Sequence, residues 1–393
     1  MPLMEMTIMD QKKEFILHWK SNQSSFSQLC RDFQISRMSG YKYVHRYLEE
    51  GMEGLEERSR APHNIPNKTP EPITNRIIEM RKEHPRWGAK KLRQMLLDEG
   101  IYTRVPARST ISLILSRNGL IPERKKRKRV TPRKPIFDPD ECNEIWSADF
   151  KGHFKLGDKS TCYPLTICDS FSRYILAVKG LSSTTFEDVQ PVFQAVLKEY
   201  GLPLQLHTDN GSPFAAINAL GRLTKLSVWF MELGIQPVFS DPGKPQQNGR
   251  HERMHRELKA EACRKPRETL RGQQKVFSRF MRMYNEERPH EALEMRKPFI
   301  VHERSKRPYP QKIEEWVYPA DWKVRNICAN GIIRVGRAEQ VFVTSSLQGK
   351  KIGLEPLGNE IYRLYFREFL LGFLDFNERK VYDILEYMYV PRL

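Results

Sequence analysis

Apolar residues fall at helical spacing through the first 120 positions of the chain and then change to strand-like alternation. Within residues 10–57, Phe15, Ile16 and Trp19 form one apolar stripe, and Phe26, Leu29, Cys30 and Phe33 form a second. Gln34-Ile35-Ser36 reads as a turn with Ser36 as the N-cap of a third helix. That helix carries Val44, Tyr47 and Leu48 on its predicted core face and Arg37, Ser39, Lys42, Tyr43 and Arg46 on the other. Two short helices, a tight turn and a polar third helix make a helix-turn-helix pattern. An ordinary three-helix bundle with solvated charges fits the same spacing.

Pro62, Pro66, Pro70 and Pro72 mark a linker, and a second helical unit follows at about 72–119. Ile77, Ile78 and Met80 lie in its first helix. Trp87-Gly88 opens the next, with Leu92, Met95 and Leu96 inward. Pro106 begins a third that carries Ile111, Ile114 and Leu115 and closes at Gly119. The repeated three-helix logic makes this unit a second candidate for DNA binding, with Lys90, Lys91 and Arg108 as its contacts.

From Glu144 the alternation takes over. Ile145, Ser147, Asp149 and Lys151 share one face of a strand, with Trp146, Ala148 and Phe150 on the other. Further strands fit 161–168, 173–179, 204–208 and 235–239. A helix fits 185–200, opened by Thr185 with Asp188 three residues on and closed by Gly201, and the awkward Pro191 suggests a later start. Asn248-Gly249 turns into a helix through about 263, and a last helix covers about 268–286. The order describes an α/β layer without the glycine-rich fingerprints of a Rossmann unit or a P-loop. After a basic, Pro-bearing linker at 305–316, short strands at 332–335, 340–344, 351–355 and 361–366 fit a small β-barrel, with Asn330-Gly331 and Gly358-Asn359 as hairpin signals.

Charge narrows the class of partner. The 393 residues carry a formal net charge of +18, and 39% are hydrophobic, enough for sizeable cores and unlike a disordered chain. Such a basic balance points to a polyanion, most often nucleic acid. Between residues 123 and 134, eight basic residues face one acidic residue. This block, with Arg124, Lys125, Lys126, Arg127, Lys128 and Arg129, reads as a phosphate-tracking strap or as a solvated linker. None of the six cysteines forms Cys-x-x-Cys, so neither a zinc ribbon nor a thioredoxin-like motif is present, and the pattern predicts a reduced, intracellular chain. The N-terminus shows no apolar signal region, and the run Phe369–Leu374 is far too short to span a bilayer.

Three acidic positions stand out in this basic chain. Asp149 lies mid-strand among apolar residues, where an unpaired carboxylate is costly, so it meets either a protein cation or a metal. Asp209 follows a strand directly and precedes Asn210-Gly211, a place that presents a carboxylate to a ligand or caps a simple Asx turn. Glu252 sits near a helix start with His255, Arg256 and Lys259 on the same face at i+3, i+4 and i+7, which suits a metal followed by a DNA backbone, or a solvated salt-bridge face. Two aspartates and a glutamate from separate elements form an all-oxygen set that suits two Mg²⁺ or Mn²⁺ ions. His251-Glu252-Arg253-Met254-His255 also matches His-Glu-x-x-His, the zinc-peptidase pattern, but that reading leaves Asp149 and Asp209 without a role.

Asp149, Thr208-Asp209-Asn210-Gly211 and Pro245-Gln246-Gln247-Asn248-Gly249-Arg250-His251-Glu252-Arg253 resemble the catalytic core of integrase-type insertion-sequence transposases, the DDE recombinases. Tyr284-Asn285-Glu286-Glu287-Arg288-Pro289-His290 with Ala292-Leu293 is similar to the segment downstream of the third carboxylate in that family. The resemblance is strong over about 140–300 and looser upstream. It implies a multidomain α and α/β protein: helix-turn-helix modules at 1–60 and 70–121, a basic linker at 122–137, a ribonuclease H-like mixed-sheet core at 138–303 and a β-barrel-like domain at 317–393. The 42 residues between Asp209 and Glu252 exceed the interval in compact members, which we read as an insertion around Ala215–Lys225. The resemblance further implies that Asp149, Asp209 and Glu252 hold two Mg²⁺ or Mn²⁺ ions per site, and that Arg256 and Lys259 match positions touching element-end DNA. It implies cleavage at element ends to a 3′-hydroxyl and direct joining to target DNA, inside a dimer or tetramer in a prokaryotic cytoplasm. A non-catalytic helix-turn-helix regulator derived from a transposase is the alternative, and a plain metal-dependent nuclease a further one. The missing His/Cys set at the N-terminus implies no structural zinc.

Overall fold

A computed structural model describes residues 7–58, 68–121, 138–217, 219–240, 249–334 and 339–384. Chain contacts divide into two compact units, Met1–Pro70 and Glu71–Leu393. The basic block, including Arg124 to Arg129, lies outside the described residues, as does Pro245–Asn248.

In the first unit, α1 (Ile8–Ser21), α2 (Phe26–Asp32) and α3 (Arg37–Glu50) enclose Phe15, Ile16, Leu29, Cys30, Val44 and Leu55. Ser36 caps α3, its hydroxyl accepting from Ser39 N at 3.1 Å. Gly40 is required by close approach: a Cβ there would stand 2.7 Å from Cys30 Sγ. The predicted core face of α3 needs correction. Gly40 and Val44 define the buried line, with Tyr43 beside it and edge-on to Phe15 at 6.3 Å, while Leu48 is 67% exposed.

The second unit begins with α4 (Glu71–Glu83), α5 (Ala89–Glu99) and α6 (Arg108–Arg117), packed around Ile77, Met80, Trp87, Leu92, Leu96, Ile111 and Leu115. Pro72 belongs to the first turn of α4, not to the linker, because a first-turn residue needs no N–H donor. Ion pairs bind this module to the α/β core: Arg86–Glu257 at 3.2 Å, Lys90–Glu291 at 2.7 Å and Lys297–Asp98 at 3.3 Å.

The core sheet contains β1 (Ile145–Phe150), β2 (Phe154–Lys155), β3 (Thr161–Asp169), β4 (Ile175–Leu181), β5 (Gln205–Thr208) and β6 (Gln236–Phe239). Strand β3 pairs antiparallel with β1, β2 and β4, whereas β1, β5 and β6 run parallel to one another, so the sheet is mixed as expected. One face is covered by α7 (Phe186–Tyr200) and α8 (Lys225–Glu232), which bury Trp146, Ala148, Leu165 and Ile167. The other is covered by α9 (Gly249–Leu258) and α10 (Leu270–Arg282), which bury Cys162, Cys168, Ile175 and Val178. Both α9 and α10 run on into π-helical turns, Lys259–Cys263 and Met283–Glu287, and the short α11 (Pro298–Val301) follows. Pro191 does not delay α7, which starts at Phe186. Thr185 makes no side-chain cap bond, and Ser183 Oγ instead donates to Asp188 at 2.5 Å.

The C-terminal part holds β7 (Lys323–Asn326), β8 (Ile332–Arg334), β9 (Gln340–Phe342), β10 (Lys351–Gly358), β11 (Ile361–Phe366), β12 (Phe369–Asp375) and β13 (Lys380–Asp383). Among the described residues these form an open antiparallel sheet in the order β13-β12-β11-β10-β7 and a separate antiparallel β8-β9 pair, and of the expected small β-barrel these sheets are what is seen. Leu223, Val228 and Met231, on and just before α8, pack into the core of that sheet together with Ile333 and Val341 of the β8-β9 pair. The apolar run Phe369–Leu374 is strand β12. Gly358 and Asn359, at φ 98° and 52°, make the expected hairpin between β10 and β11, whereas Asn330-Gly331 forms a 3-10 turn ahead of β8. The 305–316 linker is fastened to the core: Arg307 donates to the carbonyls of Pro203 and Gly234, each at 2.6 Å.

Candidate active site

Asp149 stands near the C-terminal end of β1, opposite Thr166 on β3. The parallel register sets Ala148 beside Thr208 at the end of β5, so Asp209 emerges one residue beyond, next to Asp149. Helix α9 crosses the same face of β1 and brings Glu252 toward both. The Asp149 side chain is 21% exposed, and Asp209 and Glu252 are exposed. Burial first, then the charge of Asp209 and to a lesser degree that of Glu252, pushes the Asp149 carboxyl up to about 7. The three carboxylates therefore share one electrostatic site. A carboxylate whose ionisation is opposed by burial and by two like charges, all with hard oxygen donors, fits a divalent cation such as Mg²⁺ or Mn²⁺. Asp209 also caps an Asx turn, its Oδ1 accepting from Gly211 N at 3.1 Å. Asn210 fixes that loop through Ser240 O at 2.6 Å and Arg222 at 3.0 Å.

Beneath the carboxylates runs a buried polar network that the sequence did not disclose. Thr166 Oγ1 donates to Asp149 O at 2.8 Å. A hydroxyl carries one proton, so Thr166 must accept from His251 Nε2 and from His255 Nε2, each at 2.7 Å. His251 Nδ1 then accepts from Ser147 Oγ at 2.9 Å, and His255 Nδ1 turns its lone pair toward Asp149 Oδ2 at 3.6 Å. Burial holds both imidazoles neutral, with pKa values lowered to about 3 for His251 and about 2 for His255. His255 had been expected to face DNA; it is 5% exposed and faces Asp149.

Asp149, His251 and His255 place ligand atoms within 4.8 Å of one another, as a metal centre requires. The donor accounting weighs against a peptidase-type zinc site, because three of the four ring nitrogens are already committed to Ser147 and Thr166. The signal for this network was the i, i+4 spacing of the two histidines on the face that also carries Met254 and Leu258, both buried. A second cluster, Cys142, Asp169 and His302, lies at the other end of β1.

The predicted DNA contacts divide by location. Arg37 and Lys42 are exposed on α3 and Arg46 is half-buried. Arg256 and Lys259 are exposed on α9 and the turn after it. Lys90 and Arg108 line one cavity of about 520 Å³, Lys90 in its ion pair with Glu291. Lys91 turns instead into a different cavity beside α9.

Two family profiles described as Integrase core domain match residues 139–245 and 233–298, and one described as Homeodomain-like domain matches 39–115. The chain is 24% identical over 230 residues to an uncharacterized 39.2 kDa protein of insertion element IS476 from Xanthomonas euvesicatoria, covering 58% of this chain and 64% of that protein. It is 25% identical over 261 residues to an uncharacterized 31.7 kDa protein of insertion element IS407 from Burkholderia multivorans, covering 64% and 89%. The match thus spans a little under two thirds of the first relative's length. A Gag-Pol polyprotein of koala retrovirus is 28% identical over 121 residues, 30% of this chain and 7% of that one. Among solved structures, the HTLV-2 integrase catalytic core domain in complex with magnesium is 20% identical, covering 42% of this chain and 100% of its own, at a TM-score of 0.30. A simian T-cell lymphotropic virus intasome in complex with PP2A regulatory subunit B56 gamma is 15% identical, covering 75% and 97%, at 0.36.

Proposed function

The chain belongs to the integrase-type insertion-sequence transposases, and from that premise we propose that it cleaves the ends of a DNA element and joins them to target DNA. The observation that carries the proposal is the meeting of Asp149 and Asp209 at the ends of the parallel strands β1 and β5, with Glu252 on α9 near enough to oppose the charge of Asp149. Asp149, Asp209 and Glu252 would hold two Mg²⁺ or Mn²⁺ ions. Bound there, the metal would activate the attacking oxygen and offset charge on the leaving 3′-oxygen, so no covalent protein–DNA intermediate is needed.

The chain's own groups position the reactants. Thr166 fixes the Asp149 backbone, and His251 and His255 clamp α9, and with it Glu252, to the sheet through the same hydroxyl. The exposed cations Arg256 and Lys259 extend from Glu252 along a path suited to a DNA backbone. Helix α3, with Arg37 and Lys42 outward, would read the element ends in the major groove. Holding two ends at once calls for a dimer or tetramer, and the reading places the protein with the nucleoid in a bacterial cytoplasm.

Sequencing the DNA that flanks the gene supplies candidate terminal repeats, which serve as substrates in a strand-joining assay with Mg²⁺. The native chain should join them. Asp149→Asn, Asp209→Asn and Glu252→Gln should each bind the ends and fail to cut or join. Near-normal joining by one variant removes that residue from the site. End binding without cutting by the native chain would make it the regulator, and cutting without joining a nuclease.

A further inference from the structure

The segment Tyr284–His290 has no part in the carboxylate site. After α10 it makes a π-helical turn, and Tyr284, Arg288 and His290 wall a cavity of about 680 Å³. Lys91 enters from α5, Arg173 from the β3–β4 turn, and Gly249, Arg250 and Arg253 from the first turns of α9. Five cations thus converge. The two carboxylates that line the cavity are already engaged: Glu257 pairs with Arg86 and Arg288 at 3.2 Å each, and Glu291 with Lys90 at 2.7 Å.

Counter-charge reaches these cations only in part: Arg250 pairs with Asp138, and Glu257 is shared between Arg86 and Arg288. Arg288 is 7% exposed, lies 5.2 Å over the Tyr284 ring, and its Nε has no hydrogen-bond partner among the described residues. Among the described residues, Arg173 donates to the carbonyl of Ser170, at 2.7 Å. Burial, then Arg288, lowers the Lys91 ammonium to about 8, and burial, then Arg250, lowers Arg173 to about 10. An anion in the cavity would relieve this crowding. Gly249 opens the ten-residue α9, so the positive end of its helix dipole adds to the potential at the cavity. Successive helical residues step by about 100°, which sets Arg250, Arg253 and Glu257 well around α9 from Glu252. The cavity is therefore separate from the carboxylate site, on another flank of the same helix.

We propose that this cavity is a phosphate seat that takes one backbone phosphodiester of DNA, held by Lys91, Arg253 and Arg288. The proposal rests on the transposase reading for the carrier of the phosphate. DNA is favoured because the exposed Arg256 and Lys259 continue the cationic surface along the same helix. One helix would then grip DNA on two flanks, presenting a scissile bond toward Glu252 while a second phosphate is fixed beside Arg253.

The test uses the full chain, a 30-base-pair duplex of arbitrary sequence and, separately, inorganic phosphate. Lys91→Gln and Arg253→Gln should each weaken duplex binding by about 3- to 10-fold and reduce the slope of log affinity against log salt by about 0.9, the signature of one lost phosphate contact. Arg288→Gln should do the same in a variant whose thermal midpoint confirms folding, and the other two variants keep the test independent of Arg288. A merely structural role would lower the midpoint and leave the salt slope unmoved, which overturns the proposal. Inorganic phosphate that raises the midpoint of the native chain but not of Lys91→Gln, with duplex binding unaltered, assigns the cavity to free phosphate and overturns the DNA assignment. Native-like behaviour of every variant with both probes overturns the seat altogether. Failure of the transposase reading is read elsewhere, in the joining assay with the native chain.

Discussion

The two ends of β1 each set an aspartate beside a histidine, and they are built in opposite ways. At the first end, Asp169 accepts from Asn143 N at 2.9 Å, Ser172 N at 2.7 Å and Ser172 Oγ at 2.5 Å, with Cys142 and His302 alongside. At the other, the Asp149 carboxylate gains the backbone N–H of Phe150 and the charge of Lys151, while burial, Asp209 and Glu252 oppose its ionisation. A carboxylate saturated by protein donors is committed to holding a turn. One left short of donors beside like charges is available to a cation.

The sharpest way to break this contrast is to neutralise each aspartate. Asp149→Asn should lower strand joining on the order of 10³-fold or more, since it removes a ligand shared by the whole site. Asp169→Asn should leave the joining rate per folded molecule within about 3-fold of native, as expected for a group remote from the reacting atoms. Equal losses in the two variants would erase the distinction.

Stability should run the other way. Asp169→Ala leaves the N–H groups of Asn143 and Ser172 without their acceptor and should cost about 2–4 kcal/mol in urea denaturation. Asp149→Asn should leave metal-free stability unchanged or raised, because it removes a charge that burial, Asp209 and Glu252 all oppose.

The pH dependence follows from the direction of the Asp149 shift. Its carboxyl is raised from 3.8 to about 7 on folding, so without metal its contribution to stability is present below about pH 4 and lost as pH rises through 7. A divalent cation prefers the ionised form, so the rise in thermal midpoint on adding Mg²⁺ should be larger at pH 8 than at pH 6. Asp149→Asn should flatten both trends, and a Mg²⁺ effect independent of pH in the native chain would detach the metal from Asp149.

His251→Ala and His255→Ala should reduce joining only partially, about 10-fold, by loosening α9 over the sheet. Tightly held zinc in the native chain, lost in both variants while Asp149→Asn stays active, would instead support the peptidase motif. The smallest effects belong outside both clusters: Arg37→Ala and Lys42→Ala should each weaken end-DNA binding a few-fold, about one phosphate contact apiece, with joining at saturating DNA retained.

Periodicity and termination signals are local, and they were legible. The two three-helix modules, the Ser36 cap, the strands β1, β3, β4, β5 and β6 and the α7 helix follow from spacing alone, because a buried stripe must recur every 3.6 or 2 residues. The three carboxylates were visible as acidic positions at strand tips and a helix start in a basic chain. What the spacing left open was which polar residues turn inward. His251 and His255 share a face with Met254 and Leu258, and only the packing of α9 on β1 and β3 shows that Ser147 and Thr166 satisfy them. Leu48 and Tyr43 exchanged their expected faces because Gly40 draws α3 against Cys30.

The open C-terminal sheet, the fastening of 305–316 and the cationic cavity were likewise decided by tertiary structure. Each depends on groups far apart in sequence: Leu223 and Met231 against the C-terminal strands, Arg307 on Pro203 and Gly234, Lys91 beside Arg288. The sequence by itself determined the elements, the overall charge and the identity of the three acids, since those depend on neighbours a few residues away. Burial, and with it the charge state of Asp149 and the pairing of every buried polar group, depends on what the rest of the chain places against it, and only the folded arrangement supplies that.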